Sequence, residues 1–537
     1  MPHLPRHPKK VIRFLACLAL ALAAQSPLAP PTPALAGSPG GTFTVNTTGD
    51  TNVRDAVLSV REAVLVANGT LTGTFTSLEQ TQLGGCSFSS GNIIGACGDS
   101  LPDTIILPAG TYLLSITGSN EDNSEKGDLD IFSEVTINGA GLGQTIIDGG
   151  GTDRVIDIFG GAVVKISGVI IQHGSVASAN GGGLRIQVSE VSLSDGAVLS
   201  NTTDALGGGI YNNSLLDLTA MTISYNAAIS NTSSGGGIYN VGQLTALAAD
   251  TFYSNTAGSN GGGLANATGA GGTAVLANAT VTSNSAAYGG GIFNTAQLTI
   301  THSYLSGNQA VYLGGGVRGE YSGMVIIDGS QLENNRGDAG GGALSGRQTT
   351  FTVTNSSLIS NTASSGGGLW VYEAAFWLRN VTISGNRAEA DGGGIYMDGG
   401  FANQVLGNNI TVANNTADAD NSGGGDGGGL KVNTSVISLT NSILAGNHDL
   451  SGTGSVYPDC AGPLETGGYN LMESLTGCTV VLTTGDLNGP AQLGPLQDNG
   501  GGSLTQAPLP GSPAVEAGSP TTPGTGSEAC AAADQRG

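Results

Sequence analysis

Short runs of alternating apolar and polar residues, such as QLTAL (Gln243–Leu247) and NVTISGN (Asn380–Asn386), fill the chain between residues 101 and 455. Alternation with period two predicts strands buried on one face, and no segment there sustains the 3.6-residue period or the strong helix formers of a helical repeat. The runs recur with two signatures. Glycine triplets begin at Gly181, Gly207, Gly235, Gly261, Gly289, Gly314, Gly366, Gly392 and Gly427, and the segment GGAL (Gly341–Leu344) fills the remaining gap. They stand 25 to 28 residues apart, except for 35 residues between Gly392 and Gly427. Each unit also carries an apolar residue three before an asparagine, from Val198/Asn201 and Ile223/Asn226 through Leu305/Asn308 to Val412/Asn415 and Leu444/Asn447.

One unit repeated along the chain accounts for both signatures, and the expectation is an all-β parallel solenoid. Each unit reads as one coil of about three short strands, with coils stacked roughly 4.8 Å apart. A corner that needs positive φ, or that another backbone approaches closely, must be glycine in every coil. The repeated asparagine is expected at a second corner, its amide bonding the coils above and below. A phosphate-cradling role for the triplets lacks its context, since no strand–loop–helix or P-loop lysine accompanies them.

Before Gly181 the same alternation appears without triplets in DTIILPAGTYLL (Asp103–Leu114), LDIFSEVTINGAG (Leu129–Gly141) and Thr145–Gly174, which read as further coils. Ser59 and Glu62 form a capping box that opens a short helix with Val57, Val60, Val64 and Ala67 on one face. Such a helix can close the apolar end of a solenoid and keep it monomeric. The chain therefore divides into residues 1–36, a leader; 37–100, an N-terminal cap; 101–455, the repeats; and 456–537, a small β-rich C-terminal region.

Composition adds the compartment. Arg6, Lys9, Lys10 and Arg13 precede the apolar run Phe14–Ala24, and Ala34–Ala36 offers a small-residue cleavage site, so residues 1–36 read as an export signal too short to span a bilayer. Removing its four basic residues leaves 13 Lys and Arg against 40 Asp and Glu, a net charge of 13 − 40 = −27, which excludes nucleic acid as a partner and makes anionic surfaces accessible only through a cation. Cys17 falls within the leader. Among the other five cysteines, Cys86 with Cys97 and Cys460 with Cys478 are close in sequence and fit two local disulfides; Cys530 is left over and is an alternative partner for either member of the second pair.

Candidate chemistry lies on the outside. If the apolar residue after each triplet points inward, its successor points outward. That file reads Arg185, Tyr211, Tyr239, Ala265, Phe293, Arg318, Ser345, Trp370, Tyr396 and Lys431, with Glu320, Arg347, Tyr372 and Asp398 two residues further on. Tyr211, Tyr239, Phe293, Arg318, Trp370, Tyr372 and Tyr396 are candidate ligand-binding residues for the faces and hydroxyls of sugars, against the plainer role of covering a sheet face. A polysaccharide lyase or glycoside hydrolase would use Glu373 and Asp398, in adjacent coils, with Arg347. Glu320 and Asp398 are three coils apart, about 14 Å on a roughly 4.8 Å repeat and beyond the reach of a glycosidase pair. His173, His302 and His448 are scattered. The residues favour binding over catalysis.

Asp418, Asp420, Ser422 and Asp426 take positions 1, 3, 5 and 9 of a candidate Ca²⁺ loop with Gly423 at 6, but Gly429 stands where the bidentate glutamate belongs. Glu121, Asp122, Glu125, Asp128 and Asp130 form a second acidic loop, and either loop can equally be a solvated turn.

TFTVNTTGDTN followed by LSVREAVLVAN resembles the CSLREA segment of large exported bacterial proteins: Ser59, Arg61, Glu62 and Ala63 match, while Leu58 and Val60 stand for its Cys and Leu. The triplet and asparagine repeats are similar to those of chlamydial polymorphic outer-membrane proteins. DCAGPLETGGYNLM, LGPLQDNGGG, LPGSPAVEAG and DQRG resemble the choice-of-anchor Q domain. Together the resemblances cover most of the chain after the leader. They imply an exported right-handed, single-stranded parallel β-helix of the pectate-lyase type at the cell surface; the expectation placed on it is an adhesin-like surface or secreted protein that binds polysaccharide or cell-envelope partners. No catalytic set comes with them. Members of the family commonly continue beyond DQRG into a sorting tail, whereas this sequence stops at Gly537, so the expectation is either release or an anchoring element not included in it.

Overall fold

The computed structural model describes residues 40–95, 97, 102–119, 121–269, 271–399, 404–452, 456–526 and 528–537, all within the compact unit Pro39–Gly537. The export segment expected over residues 1–36 lies outside them.

The repeat is a coil. One turn runs through strands Ile238–Asn240, Gln243–Ala246, Thr251–Tyr253 and Thr256–Ala257, and each strand pairs in parallel with its counterpart one unit later, Ile238 with Leu264, Leu244 with Ala274 and Phe252 with Val281. The fourth, two-residue strand was not expected. Its equivalents form a separate 11-stranded sheet, the other coil strands join into one 39-stranded sheet wrapping the solenoid, and Ser87–Ser89 with Asn92–Gly95 and Leu493–Gln497 with Thr505–Pro508 form two small sheets of their own. The ladder runs past residue 455: Leu430 pairs with Cys460, Ile437 with Leu464 and Leu444 with Met472.

The interior is a column of stacked like residues. The residue after each triplet, from Leu184 and Ile210 to Ile395 and Leu430, is fully buried. Between these columns stand ladders of asparagine. Asn201, Asn226, Asn255, Asn284, Asn308, Asn335, Asn361, Asn386, Asn415 and Asn447 are buried, each amide Nδ2 donating to the next Oδ1 at 2.9–3.1 Å, and the file ends on Asp459 Oδ1. Each Oδ1 also accepts a backbone N–H, as Asn255 does from Asn226, and each Nδ2 reaches a carbonyl one coil back, as Asn255 does to Ile223. A buried amide is tolerated only when so fully bonded.

The glycines follow from this arrangement. The first of each triplet has φ between +60° and +74°, and a Cβ on Gly235 would lie 2.5 Å from Ile238 O. The second is closed in by its own turn and by the next: a Cβ on Gly236 would meet Thr256 O at 2.4 Å and Gly262 O, one coil on, at 2.6 Å. The third borders the asparagine ladder, and there the chain once carries alanine, Ala343, fully buried.

A second ladder, Asn212–Asn240–Asn266–Asn294, with Nδ2 to Oδ1 distances of 2.7–2.8 Å, was not foreseen. It stops where Gly319 and Gly346 replace asparagine in register, and the freed volume holds the stacked rings of Phe351 and Phe376, 4.4 Å apart.

A third corner uses serine. Ser303, Ser330, Ser356 and Ser442 each accept a backbone N–H from the preceding coil and donate to the carbonyl two residues back. At Asp250 a buried carboxylate accepts from Met221 N instead. Burial pushes this carboxyl above its ordinary value, so the folded coil disfavours the ionised form. That penalty is absent in acid, grows as pH rises through the ordinary carboxylate range and levels off above the folded value. Asp250→Ser is expected to raise the melting temperature, little in acid and most at neutral pH. A gain that does not vary with pH in scanning calorimetry refutes this account.

The N-terminal cap is built on two helices, α1 (Val60–Ala67) and α2 (Ser77–Gln82), each opened by a capping box, Ser59/Glu62 and Thr76/Glu79. Arg54 joins them, pairing Glu62 at 2.6 Å and Glu79 at 2.9 Å. All eight residues of α1 are buried, against the strands Asp103–Leu107 and Leu129–Ile131 at the solenoid's end. Arg61 fastens it. Its guanidinium takes both Asp50 carboxylate oxygens and donates to Ser124 O, Gly127 O and Asp128 O, while Asp50 Oδ2 accepts Ser115 N and Ile116 N.

At the other end the chain turns back along the coils. Asn380, Asn408 and Asn441 donate to Ala533 O, Ala529 O and Glu528 O, and Gln535 binds Thr382 Oγ1, Ser356 O and Ser503 Oγ. Disulfides join Cys86 to Cys97 and Cys460 to Cys478; Cys530 is free.

Candidate functional site

The outward file follows from register. Parallel pairing without offset aligns Arg185, Tyr211, Tyr239, Ala265, Phe293, Arg318, Ser345, Trp370, Tyr396 and Lys431, and beside them Glu320, Arg347 and Tyr372. A groove of about 710 Å³ opens over its middle, lined by Tyr239, Phe293, Arg318, Glu320, Arg347, Trp370, Tyr372 and Asp398 of this file. Tyr211 stacks on Tyr239 at 5.9 Å, just beyond the groove.

Arg318 is the anchor. It is buried, and burial lowers its affinity for its proton while Glu320 opposes that shift. Its Nε and Nη2 donate to Glu320 Oε1 and its Nη1 to Ser345 Oγ at 3.0 Å, and its guanidinium stands 5.5 Å from the Trp370 ring. Trp370 and Tyr372 stack at 5.7 Å, nearly parallel, and Arg347 covers Tyr372 at 6.0 Å. Among the described residues Arg347 Nε, itself buried, has no hydrogen-bond partner. Tyr396 receives Asn433 Nδ2 at 2.9 Å and bonds Asp398; burial, then the charges of Asp398 and Asp391, push its hydroxyl up to about 12. Flat π-faces flanked by fixed donors and carboxylates can seat rings that carry hydroxyls.

The carboxylates do not gather. Glu373 occupies a left-handed corner, φ +49°, where its Oε2 accepts from Gln348 Nε2 at 2.8 Å, and it does not line the groove. Asp398 does, with Glu320 three coils away and tied to Arg318.

The Asp418 loop spends its oxygens on itself. Asp418 Oδ1 accepts from Ser422 N and Gly423 N, Asp420 Oδ1 from Ser422 N, and Asp426 Oδ2 takes Lys431 Nζ. These carboxylates do not converge on one point. Among the described residues one acidic group does converge, Asp122, Asp130 and Asp157, in and beside the second acidic loop.

Sequence reasoning missed part of the groove. Tyr288 and Leu313 line it, and Tyr312 stacks on Tyr288 at 5.0 Å. Tyr288 directly precedes a glycine triplet and Tyr312 stands two residues before the next, in AAYGGG and VYLGGG, where another coil carries short polar residues, SSGGG. That change of residue type was the available signal.

A protein-family model described as a right-handed β-helix region matches residues 250–417. The solenoid is a right-handed parallel β-helix. Among solved structures, the A-module of the mannuronan C-5 epimerase AlgE6 of Azotobacter vinelandii is similar at 13% identity over 72% of this chain and 91% of that chain, with a TM-score of 0.29. No curated protein matches.

Proposed function

We propose that the protein is an exported, non-catalytic binding protein, adhesin-like, whose lateral groove takes carbohydrate of a cell envelope or host surface. The observation that carries this reading is the Trp370–Tyr372 platform held under Arg318 and Arg347 in a groove of about 710 Å³. Stacked rings supply the apolar face, and the arginines and Asp398 supply directional bonds to hydroxyls. Catalysis is disfavoured by geometry: Glu320 stands about 14 Å from Asp398 on a roughly 4.8 Å repeat, and Glu373 faces away to Gln348.

A glycan array with the purified protein tests this. Trp370→Ala and Tyr372→Ala are each expected to weaken binding of the best ligand by roughly tenfold, since central aromatic anchors dominate such contacts. Binding that survives the double variant places the ligand elsewhere. Reducing-sugar and unsaturated-uronate assays are expected to stay at baseline, and polysaccharide turnover that disappears in Asp398→Ala would make the protein an enzyme.

A further inference from the structure

We propose that Asp122, Asp130 and Asp157 form a Ca²⁺ site at the junction between the N-terminal cap and the first coils. One carboxylate oxygen from each lies within 4.8 Å of the other two. Oxygens around a single Ca²⁺ bound at 2.3–2.6 Å stand at most about 5 Å apart, so these three fit one ion. Asp130 is the pointer. It is 0% exposed; its Oδ2 accepts Ser124 N at 2.7 Å, and its Oδ1 has no hydrogen-bond partner among the described residues. A buried carboxylate oxygen with no donor is costly, and a cation is the partner that also relieves repulsion from the neighbouring acids.

Those neighbours outnumber the local arginines. Asp128 and Glu121 crowd Asp130, and Asp153 lines the same cleft as Asp122, while Arg154 pairs Asp128 at 2.8 Å with Asp157 3.7 Å away and Arg185 grips both Asp157 oxygens. Each carboxylate oxygen keeps lone-pair capacity beyond one N–H contact, so the Arg185 hydrogen bonds to Asp157, with Arg154 3.7 Å away, leave room for metal ligation. No histidine or cysteine belongs to the group, and an all-oxygen set with one exposed, adjustable member, Asp122, suits Ca²⁺ better than Zn²⁺ or Mg²⁺. A cleft of about 550 Å³ lined by Asp122, Asp128, Asp153 and Arg185 gives a hydrated ion its way in. The same loop is gripped from the cap, by Arg61 on the carbonyls of Ser124, Gly127 and Asp128 and by Asn68 on Asp130 O. An ion there would fasten the loop from the solenoid side.

The full chain, stripped with EDTA, is titrated with CaCl₂ by calorimetry, and its thermal unfolding is followed with and without the ion. Saturable binding and a rise in the unfolding transition are expected for the wild type. Asp130→Asn, which keeps the shape, and Asp122→Ala, at an exposed position, are each expected to lose about tenfold or more in affinity. A wild type that binds no Ca²⁺ overturns the assignment. So does binding that persists in both variants, or that disappears in Asp420→Ala instead.

Discussion

Arg61→Ala is expected to detach the N-terminal cap. The side chain is 0% exposed and meets five acceptor atoms: two on Asp50 and the carbonyls of Ser124, Gly127 and Asp128. Alanine leaves the Asp50 carboxylate buried without its counter-charge and three carbonyls without this donor, a change that costs about 3–5 kcal/mol in comparable sites. The loss should be local, because a solenoid's coils depend chiefly on their neighbours. Denaturant unfolding is expected to split, with an early phase for the cap and an unchanged phase for the central coils. Light scattering should show end-to-end association as the apolar end is uncovered. Arg61→Lys keeps the charge but not the planar fork and should fall between the two. A single unshifted transition in Arg61→Ala would show that α1 holds by packing alone.

Gly235→Ala is expected to cost at least roughly 2 kcal/mol. A left-handed conformation costs an L-residue about 1–2 kcal/mol, and here the added methyl would also sit 2.5 Å from Ile238 O and 2.6 Å from Tyr239 N, both backbone atoms of the same turn. Gly237→Ala is the internal comparison. A Cβ there would meet Gly263 O at 2.5 Å, as close as the contact at Gly235, but its φ is not in the left-handed range and the chain places a buried alanine at the equivalent position, Ala343. Calorimetry should rank Gly235→Ala well below Gly237→Ala in melting temperature; equal losses would mean that close packing between coils, and not φ, demands the glycine.

Much of this architecture was legible because it repeats. The spacing of triplets and of apolar-x-x-Asn announced a coil, and strand alternation placed Arg318, Trp370 and Tyr372 on one outward file. The Asn212–Asn294 ladder escaped notice because it occupies only four coils and yields to Phe351 and Phe376. Glu373 was drawn toward Asp398 by coil adjacency alone; its left-handed backbone, one residue past Tyr372, turns the side chain to Gln348. The Asp418 loop carries calcium-like spacing, yet its carboxylates answer backbone N–H groups and Lys431, choices that spacing does not encode.

The sequence by itself determined the winding of the coil, its period, its inward columns and the main asparagine ladder, because in a parallel solenoid each residue's environment is set by the same residue one unit away. Only the tertiary structure decided what meets across unrelated segments: Arg61 on the loop at Ser124–Asp128, Gln535 on Ser356 and Thr382, and Asp122, Asp130 and Asp157 around one point. Those contacts join parts of the chain that share no period, so their partners depend on where corners aim side chains and on how the ends fold back over the coils.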